Sequence, residues 1–320
     1  MGRKAPYYSN FDFWNRKMTQ DLFILIDIGG TAIKSGLATI DGKLLFSNEI
    51  PTQAKAFGGP GIVSKVKSII ANALANKDYK DKIKAVAVST AGMVNPNTCE
   101  IVYALPDAIP DYTGVNFKDI INKEFNLPCT VENDVNCAAL GEMWLGGGKG
   151  CKDVFCMTIG TSIGGAMIVN GSLVSGTSNS AGEIAYMQTP KGILHKVATT
   201  TALVQKYAQM KSLDVDQVNG KIIFDVAETG DLDAQRAILE LVDSLTDGIC
   251  NVACVQNPEC IILGGGIMVR DKYLRPLIEA SLKEKLRPIV YESTKISFAS
   301  LGNKAGMLGA LYNLKQRLKF

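Results

Sequence analysis

Histidine is nearly missing from this chain: a single one, His195, stands among 320 residues. That scarcity excludes a Ser-His-Asp triad elsewhere, a multi-histidine zinc site and most imidazole acid–base schemes. If the chain is a catalyst, the expected proton acceptor is a carboxylate. Long apolar runs are lacking as well. The longest, Leu22 to Ile28, is interrupted by Asp27 and falls well short of the roughly 20 residues that a spanning helix needs. The opening MGRKAPYYSNFDFWNRKMTQ has no apolar centre, so it does not read as a secretory signal. Charge of one sign is not in excess: the net charge is +3 and the basic residues are scattered, which argues against nucleic acid and a membrane surface as partners. Paired C-x-x-C spacing is also absent. The eight cysteines lie mostly inside apolar segments and read as reduced, buried thiols of a cytoplasmic protein.

What is present is an ordinary globular composition, 47% hydrophobic and 20% charged. A chain of this length exceeds the usual size of one hydrophobic core, so two domains or lobes are expected. An internal repeat supports that expectation. LFILIDIGGTAIKSGLATIDGKLL (22–45) and VFCMTIGTSIGGAMIVNGSLV (154–174) share one plan of apolar strand, glycine-rich turn, second strand, tight turn and third strand. The tight turns, Asp41-Gly42 and Asn170-Gly171, are dipeptides typical of two-residue hairpins. Helical patterns follow each copy: about 61–76 and 117–125 after the first, then 201–211, 221–229, 233–255 and 305–318 after the second. The strand PCTVENDVN runs into a helix with Val135, Ala138, Ala139 and Met143 on one side and Gly146 as its stop.

Asp27, set near the end of an apolar strand with Gly29 and Gly30 behind it, permits two readings. One is a tight hairpin, since glycine supplies the backbone conformations that a sharp turn demands. The other is a phosphate or metal-phosphate site, where missing side chains let backbone N–H groups approach an anion. The second copy of the turn strengthens the latter, because a nucleotide's phosphates could lie between two such turns. A third glycine cluster ends the strand ECIILGGGIM, and there a plain strand-to-helix turn remains open beside a ligand contact.

DIGGTAIKSG, VENDVNCAALGE, TIGTSIGGAMIVNG, SAGEIAY and IILGGGI occur together, in an order and at spacings that resemble the ROK family of bacterial sugar kinases and sugar-responsive repressors, from about Leu22 to the C-terminus. The resemblance implies an α/β architecture: two related lobes of the actin-like or hexokinase-like ATPase fold, with a ribonuclease H-like duplicated sheet and a cleft between the lobes. The expected organisation is an N-terminal extension over 1–20, an N-terminal lobe of 21–128 plus 306–320, and a C-terminal lobe of 129–305.

It also implies roles. Asp27, Gly29, Gly30, Thr31 and Lys34 would form the first phosphate element, with Asp27 holding Mg²⁺ through water. Gly160, Thr161 and Ser162 would form the second, and Gly264, Gly265 and Gly266 would lie close to the adenosine of ATP. Gly92, Asn133, Asp134, Glu183 and His195 would face the sugar, with Asp134 taking the proton of the attacking hydroxyl. Two bland readings stand beside these: Asp134 as a helix cap, and His195 as an exposed loop residue.

Departures from the family pattern matter too. Where relatives carry a Gly-Glu-Ile-Gly-His segment and a cysteine-rich zinc loop, this chain has GEIAY, with Tyr186 in the histidine position, followed by a segment without cysteine. Zinc is therefore expected to be absent. Tyr186 reads either as a platform for a second sugar ring or as a packed core tyrosine. The usual Pro-Gly before the substrate loop is Ala91-Gly92. The activity implied is ATP- and Mg²⁺-dependent phosphorylation of a hexose 6-hydroxyl, with glucose or a β-glucoside favoured and N-acetylmannosamine as the alternative. A non-catalytic sugar sensor or repressor is the alternative of another class, and the 21 residues before Leu22 are too few for a winged-helix DNA reader. A small-molecule sugar and a second copy of the chain, as a homodimer, are the expected partners.

Overall fold

The computed structural model describes residues 20–320, so the expected N-terminal extension lies outside the described residues but for Gln20. The chain divides into two compact units. One runs to Glu132 and takes in Asn313–Phe320; the other is Asn133–Tyr312.

The first unit is built on a five-stranded sheet. Strands β1 (Leu22–Ile28), β2 (Ala32–Thr39) and β3 (Leu44–Pro51) form an antiparallel meander, and β4 (Ile83–Thr90) lies parallel to β1, giving the order β3-β2-β1-β4-β7 with β7 (Cys129–Asn133) at the far edge. A small hairpin of β5 (Met93–Asn95) and β6 (Glu100–Tyr103) follows β4. Alternate residues of β1, Leu22, Ile24, Ile26 and Ile28, enter one core with Ile62, Val66 and Ile70 of helix α1 (Ala54–Ala75) and Phe117 and Ile121 of α2 (Phe117–Phe125). This is the period-two signature of a strand meeting the longer period of a helix. Helix α1 starts earlier than its periodicity suggests, but the backbone breaks at Gly58, and Pro60 sits just beyond the break, where a missing N–H does least harm.

The second unit repeats the plan. Strands β8 (Val154–Ile159), β9 (Ile163–Val169) and β10 (Ser172–Leu173) form the meander, and β13 (Cys260–Gly264) and β14 (Lys295–Phe298) add in parallel on the other side of β8. Both sheets thus place three antiparallel strands beside parallel ones, as the internal repeat predicted. Between them in sequence, β11 (Gln188–Thr189) and β12 (Gly192–Ile193) make a separate two-stranded ribbon.

Helices cover both faces of the second sheet, so its central strands β8 and β13 are buried on both sides. Phe155, Met157 and Ile159 pack with Leu203, Phe224, Leu241, Leu245 and Leu274, contributed by α5 (Thr200–Lys211), α6 (Gly220–Glu228), α7 (Leu232–Gln256) and α8 (Asp271–Lys285). Val154 and Cys156 pack instead with Ala139, Leu140 and Met143 of α3 (Asp134–Leu145). The remaining helices are the short α4 (Leu194–Val197), α9 (Pro288–Ser293) and the terminal α10 (Ala305–Leu318).

Two local expectations need correction. Asn170-Gly171 is a two-residue turn with both residues at positive φ, as read. Asp41-Gly42 is not. The loop is Ile40-Asp41-Gly42, closed by Thr39 N–H to Lys43 O at 3.1 Å, with Gly42 alone in the left-handed region. Helix α3 is also not one-sided: Cys137 and Gly141 are buried as well as Ala139 and Met143, whereas Val135 and Ala138 are only half-buried. The added burial comes from α10, which crosses α3 so closely that a Cβ on Gly309 would sit 1.6 Å from Cys137 O. At the other end of α3 the buried Glu142 carboxylate accepts N–H bonds from Gly147 (2.9 Å), Ser300 (2.9 Å) and Leu301 (2.8 Å), which fixes the helix lengthwise.

Of the cysteines, Cys99, Cys129, Cys137, Cys156 and Cys260 are buried, Cys151 and Cys250 half-buried and Cys254 exposed, all as free thiols. Among the described residues no helix is long and apolar enough to cross a membrane.

Candidate active site

In the first unit, register decides what surrounds Asp27. On β1 it faces Lys34 of β2 on one side and Ser89 of β4 on the other. The Ser89 hydroxyl donates to Asp27 Oδ1 at 2.7 Å, and Lys34 Nζ lies 4.0 Å from Oδ2. Burial raises the Asp27 carboxyl above its ordinary value, while the Ser89 hydrogen bond and the Lys34 charge pull the other way. Ser89 was not identified from the sequence; its signal was a hydroxyl near the C-terminal end of a mostly apolar strand. Behind Asp27 the turn is braced from outside. Thr52 donates its hydroxyl to Gly29 O at 2.6 Å and its N–H to Thr31 O at 2.8 Å, while Gly30 and Thr31 remain exposed. Such a turn offers backbone N–H groups to an anion without having to reorganise. Gly92, at φ +100° with Tyr103 O only 2.9 Å from where a Cβ would be, gives the Ala91-Gly92 segment a backbone that other residues could not easily adopt.

In the second unit, Asn133 and Asp134 stand at the head of α3. Asn133 is the N-cap: its Oδ1 accepts from the N–H groups of Val135 (2.9 Å) and Asn136 (3.1 Å), and its Nδ2 donates to Asp134 Oδ1 at 3.0 Å. Asp134 Oδ1 also accepts from Val135 N–H at 2.9 Å. The capping role therefore belongs to Asn133, and the carboxylate beside it is held by two donors at a helix end that favours negative charge.

The turn Gly160-Thr161-Ser162 has its own braces. Gly160 O accepts from Thr200 N–H (2.9 Å), Thr161 O accepts from the Thr201 hydroxyl (3.2 Å), and Ser162 Oγ lies 2.9 Å from His195 Nδ1. His195, half-buried on α4, is thus tied to the second glycine turn. Gly160 and Thr161 open onto a cavity of about 1030 Å³. Its apolar wall is Val204, Val215, Val218, Phe224, Ile267 and Val269, and Asp216, Asn219, Lys221 and Arg270 supply polar edges. Only Ile267, at the end of IILGGGI, belongs to a quoted motif, and the sequence reading missed the rest.

The third glycine cluster divides its work. Gly266 lines the cavity, whereas Gly265, at φ +107°, presses on β8 so closely that a Cβ would fall 2.0 Å from Ile159 O. Glu183 is exposed, and Gly182 before it packs so closely on β9 that a Cβ would sit 2.5 Å from Gly165 O. Tyr186 is 70% exposed, so the packed-core reading of that residue is wrong.

A β-glucoside kinase of Listeria monocytogenes is 33% identical over 298 residues, covering 91% of this chain and 96% of that protein. An uncharacterized protein of Clostridium perfringens is 50% identical over 295 residues, 92% of this chain and 98% of its own. Among solved structures, a ROK family glucokinase from Streptomyces griseus, in complex with glucose and AMPPNP, superposes with a TM-score of 0.74 at 29% identity, covering 91% of this chain and 98% of that one. The family model for ROK matches residues 23–317. With its duplicated sheet, its two braced glycine turns and a match over nearly all of its length, this chain belongs to the ROK family.

Proposed function

We propose that this chain transfers the γ-phosphoryl group of ATP to a hydroxyl of a hexose or a hexose-containing glycoside, of the 6-hydroxyl type, with glucose or a β-glucoside as the favoured acceptor. The observation that carries this reading is the Asn133–Asp134 pair, in which a carboxylate is oriented by a neighbouring amide and a helix N–H instead of being spent on capping. Phosphoryl transfer asks little covalent chemistry of a protein: it needs positioning, charge stabilisation and one base. Asp134 is the base, receiving the hydroxyl proton as the oxygen attacks, and Asn133 sets the direction in which the carboxylate points. Glu183 and His195 contribute sugar contacts.

The nucleotide reading rests on the cavity of the second unit. A flat base fits between apolar walls such as Val215, Val218, Phe224 and Ile267, and phosphates suit the backbone of Gly160 and Thr161 at its mouth. Mg²⁺ would be held through water by Asp27, a partly buried carboxylate kept in place by Ser89 and suited to such a hold. When bound, the ion would neutralise charge on the terminal phosphates.

A coupled assay of ADP release over glucose, β-glucosides, N-acetylmannosamine and other hexoses tests the proposal. Sugar-dependent ADP release is expected with at least one of them. Tight sugar binding without any turnover would instead support a non-catalytic sugar sensor.

A further inference from the structure

The ribbon of β11 and β12 has two residues in each strand, and a ribbon so short does not hold together unaided. Its position in the chain makes its stability consequential. Glu183 precedes it by five residues and His195 follows it by two. The β12 end leads directly into α4, where His195 meets Ser162 of the second glycine turn at 2.9 Å.

Helix α7 supplies the anchors. Gly248 leaves a notch in that helix: a Cβ there would lie 2.8 Å from Leu194 Cδ1, and Leu194 is fully buried in the space. Three residues on, Asn251 Nδ2 reaches Met187 Sδ at 3.3 Å, and Met187 O accepts from Leu194 N–H at 2.9 Å. These contacts hold the two ends of the ribbon. Its tip is tied to α7 through Lys191. Lys191 Nζ lies 2.6 Å from Asp243 and 2.8 Å from Asp247, residues one helical turn apart on α7. The other oxygens of the same two carboxylates bind Lys285 of α8, at 2.7 and 2.6 Å. Lys285 also donates to Thr246 Oγ1 at 2.9 Å. Each carboxylate therefore bridges two ammonium groups, and each ammonium group bridges two carboxylates. Such a closed square is stiffer than an isolated surface pair, whose side chains can part at little cost.

We propose that Lys191, clamped in this square, is a positioning residue for the sugar site: it fixes the ribbon, and through the ribbon the spacing between Glu183 and His195. The proposal rests on the reading of Glu183 and His195 as sugar contacts. Removing Lys191 leaves Asp243 and Asp247 still joined by Lys285, so the helices stay paired and only the ribbon tip is freed. The consequence is weaker sugar binding with unimpaired chemistry, since Asp134 lies on a different element.

Two measurements on the full chain test this. Hydrogen exchange of the amides of 188–193, without substrate, is expected to quicken by roughly fivefold or more in Lys191→Met, to return towards wild type in Lys191→Arg, and to be unchanged in α7 and α8. Steady-state kinetics with the best acceptor from the sugar panel are expected to show KM raised about 3-fold to 10-fold in Lys191→Met, kcat within about twofold, and recovery in Lys191→Arg. Unchanged ribbon exchange in Lys191→Met would overturn the clamp. Faster exchange with an unchanged KM would overturn its role in sugar positioning. Exchange as expected in a wild-type chain that phosphorylates no sugar would establish the clamp and refute the kinase reading instead.

Discussion

Replacing Asp134 by asparagine separates the chemistry of the carboxylate from its part in the fold. An asparagine Oδ1 can keep both bonds that Asp134 Oδ1 accepts, from Val135 N–H at 2.9 Å and Asn133 Nδ2 at 3.0 Å. The stability cost is then expected to stay below about 1 kcal/mol, a shift in thermal midpoint of no more than about 3 °C for a chain of this size. The amide cannot accept the hydroxyl proton. Loss of a positioned base lowers turnover by about 10²-fold to 10⁴-fold, or about 2.7 to 5.5 kcal/mol in the barrier. Asn133→Ala should behave in the opposite sense. It removes the acceptor for two helix N–H groups and so costs about 0.5–2 kcal/mol of stability, visible in the melt. The assay is ADP release coupled to NADH oxidation with the best acceptor of the sugar panel, with sugar binding followed by calorimetry and the fold by thermal melting. Turnover of Asp134→Asn within about tenfold of wild type, at an unchanged midpoint, would refute the assignment of the base.

Three further outcomes are expected. Gly265→Ala forces a Cβ against Ile159 O and should lower the thermal midpoint by more than about 4 °C, whereas Gly266→Ala, whose Cβ would meet open space, should keep the midpoint and raise KM for ATP; melting and kinetics on the pair read both. Hydrogen bonds from Lys191 and Lys285 hold the Asp243 carboxyl below its ordinary value, and at Asp247 the same two partners outweigh the opposing effect of burial. A depressed folded value gives stability that is complete above the unfolded value, near about 4, and is lost as pH falls through the folded one, so melting midpoints between about pH 5 and about pH 2 should fall more steeply in wild type than in the Asp243→Asn, Asp247→Asn double variant. Activity with Mg²⁺ supplied should survive removal of zinc by a chelator and extend to a C1- or C2-substituted glucose; loss that only zinc restores, or strict selection for unmodified glucose, would contradict the corresponding half.

Much of the architecture was legible because strand periodicity and glycine placement act locally. Leu22 to Ile28 reads as one apolar run broken only by Asp27, and the two strand-turn-strand segments could be recognised as copies before any contact was known. Longer-range features were not legible. The small apolar residues of α3 could have faced in any direction, and the crossing at Gly309 and Cys137 explains why its burial extends to Cys137 and Gly141. Asp41-Gly42 and Asn170-Gly171 look equivalent, yet the register of the flanking strands makes one loop a residue longer than the other. The cavity wall draws Val204, Val215, Phe224 and Val269 from separate elements, each an unremarkable apolar residue in its own segment. Tyr186 could not be placed from sequence because an aromatic ring suits a core and a sugar platform equally; its exposure resolves the choice against the core.

The division of the chain bears on the order in which a ribosome can deliver a finished product. The second unit is one continuous stretch, Asn133–Tyr312, and can close on itself once its last turn has emerged. The first unit cannot. It must wait for Asn313–Phe320, which is made after the whole of the other unit. When those residues arrive, Arg317 bonds Pro96 O at 2.8 Å and Phe320 packs edge-on against Phe23 of the first strand, with ring centres 5.1 Å apart. Domains made as continuous stretches fold as units during synthesis, so here the half translated first is the half completed last. Until then the first unit, whose five strands are already made, lacks the packing of Phe320 on Phe23 and the bond from Arg317 to Pro96 O.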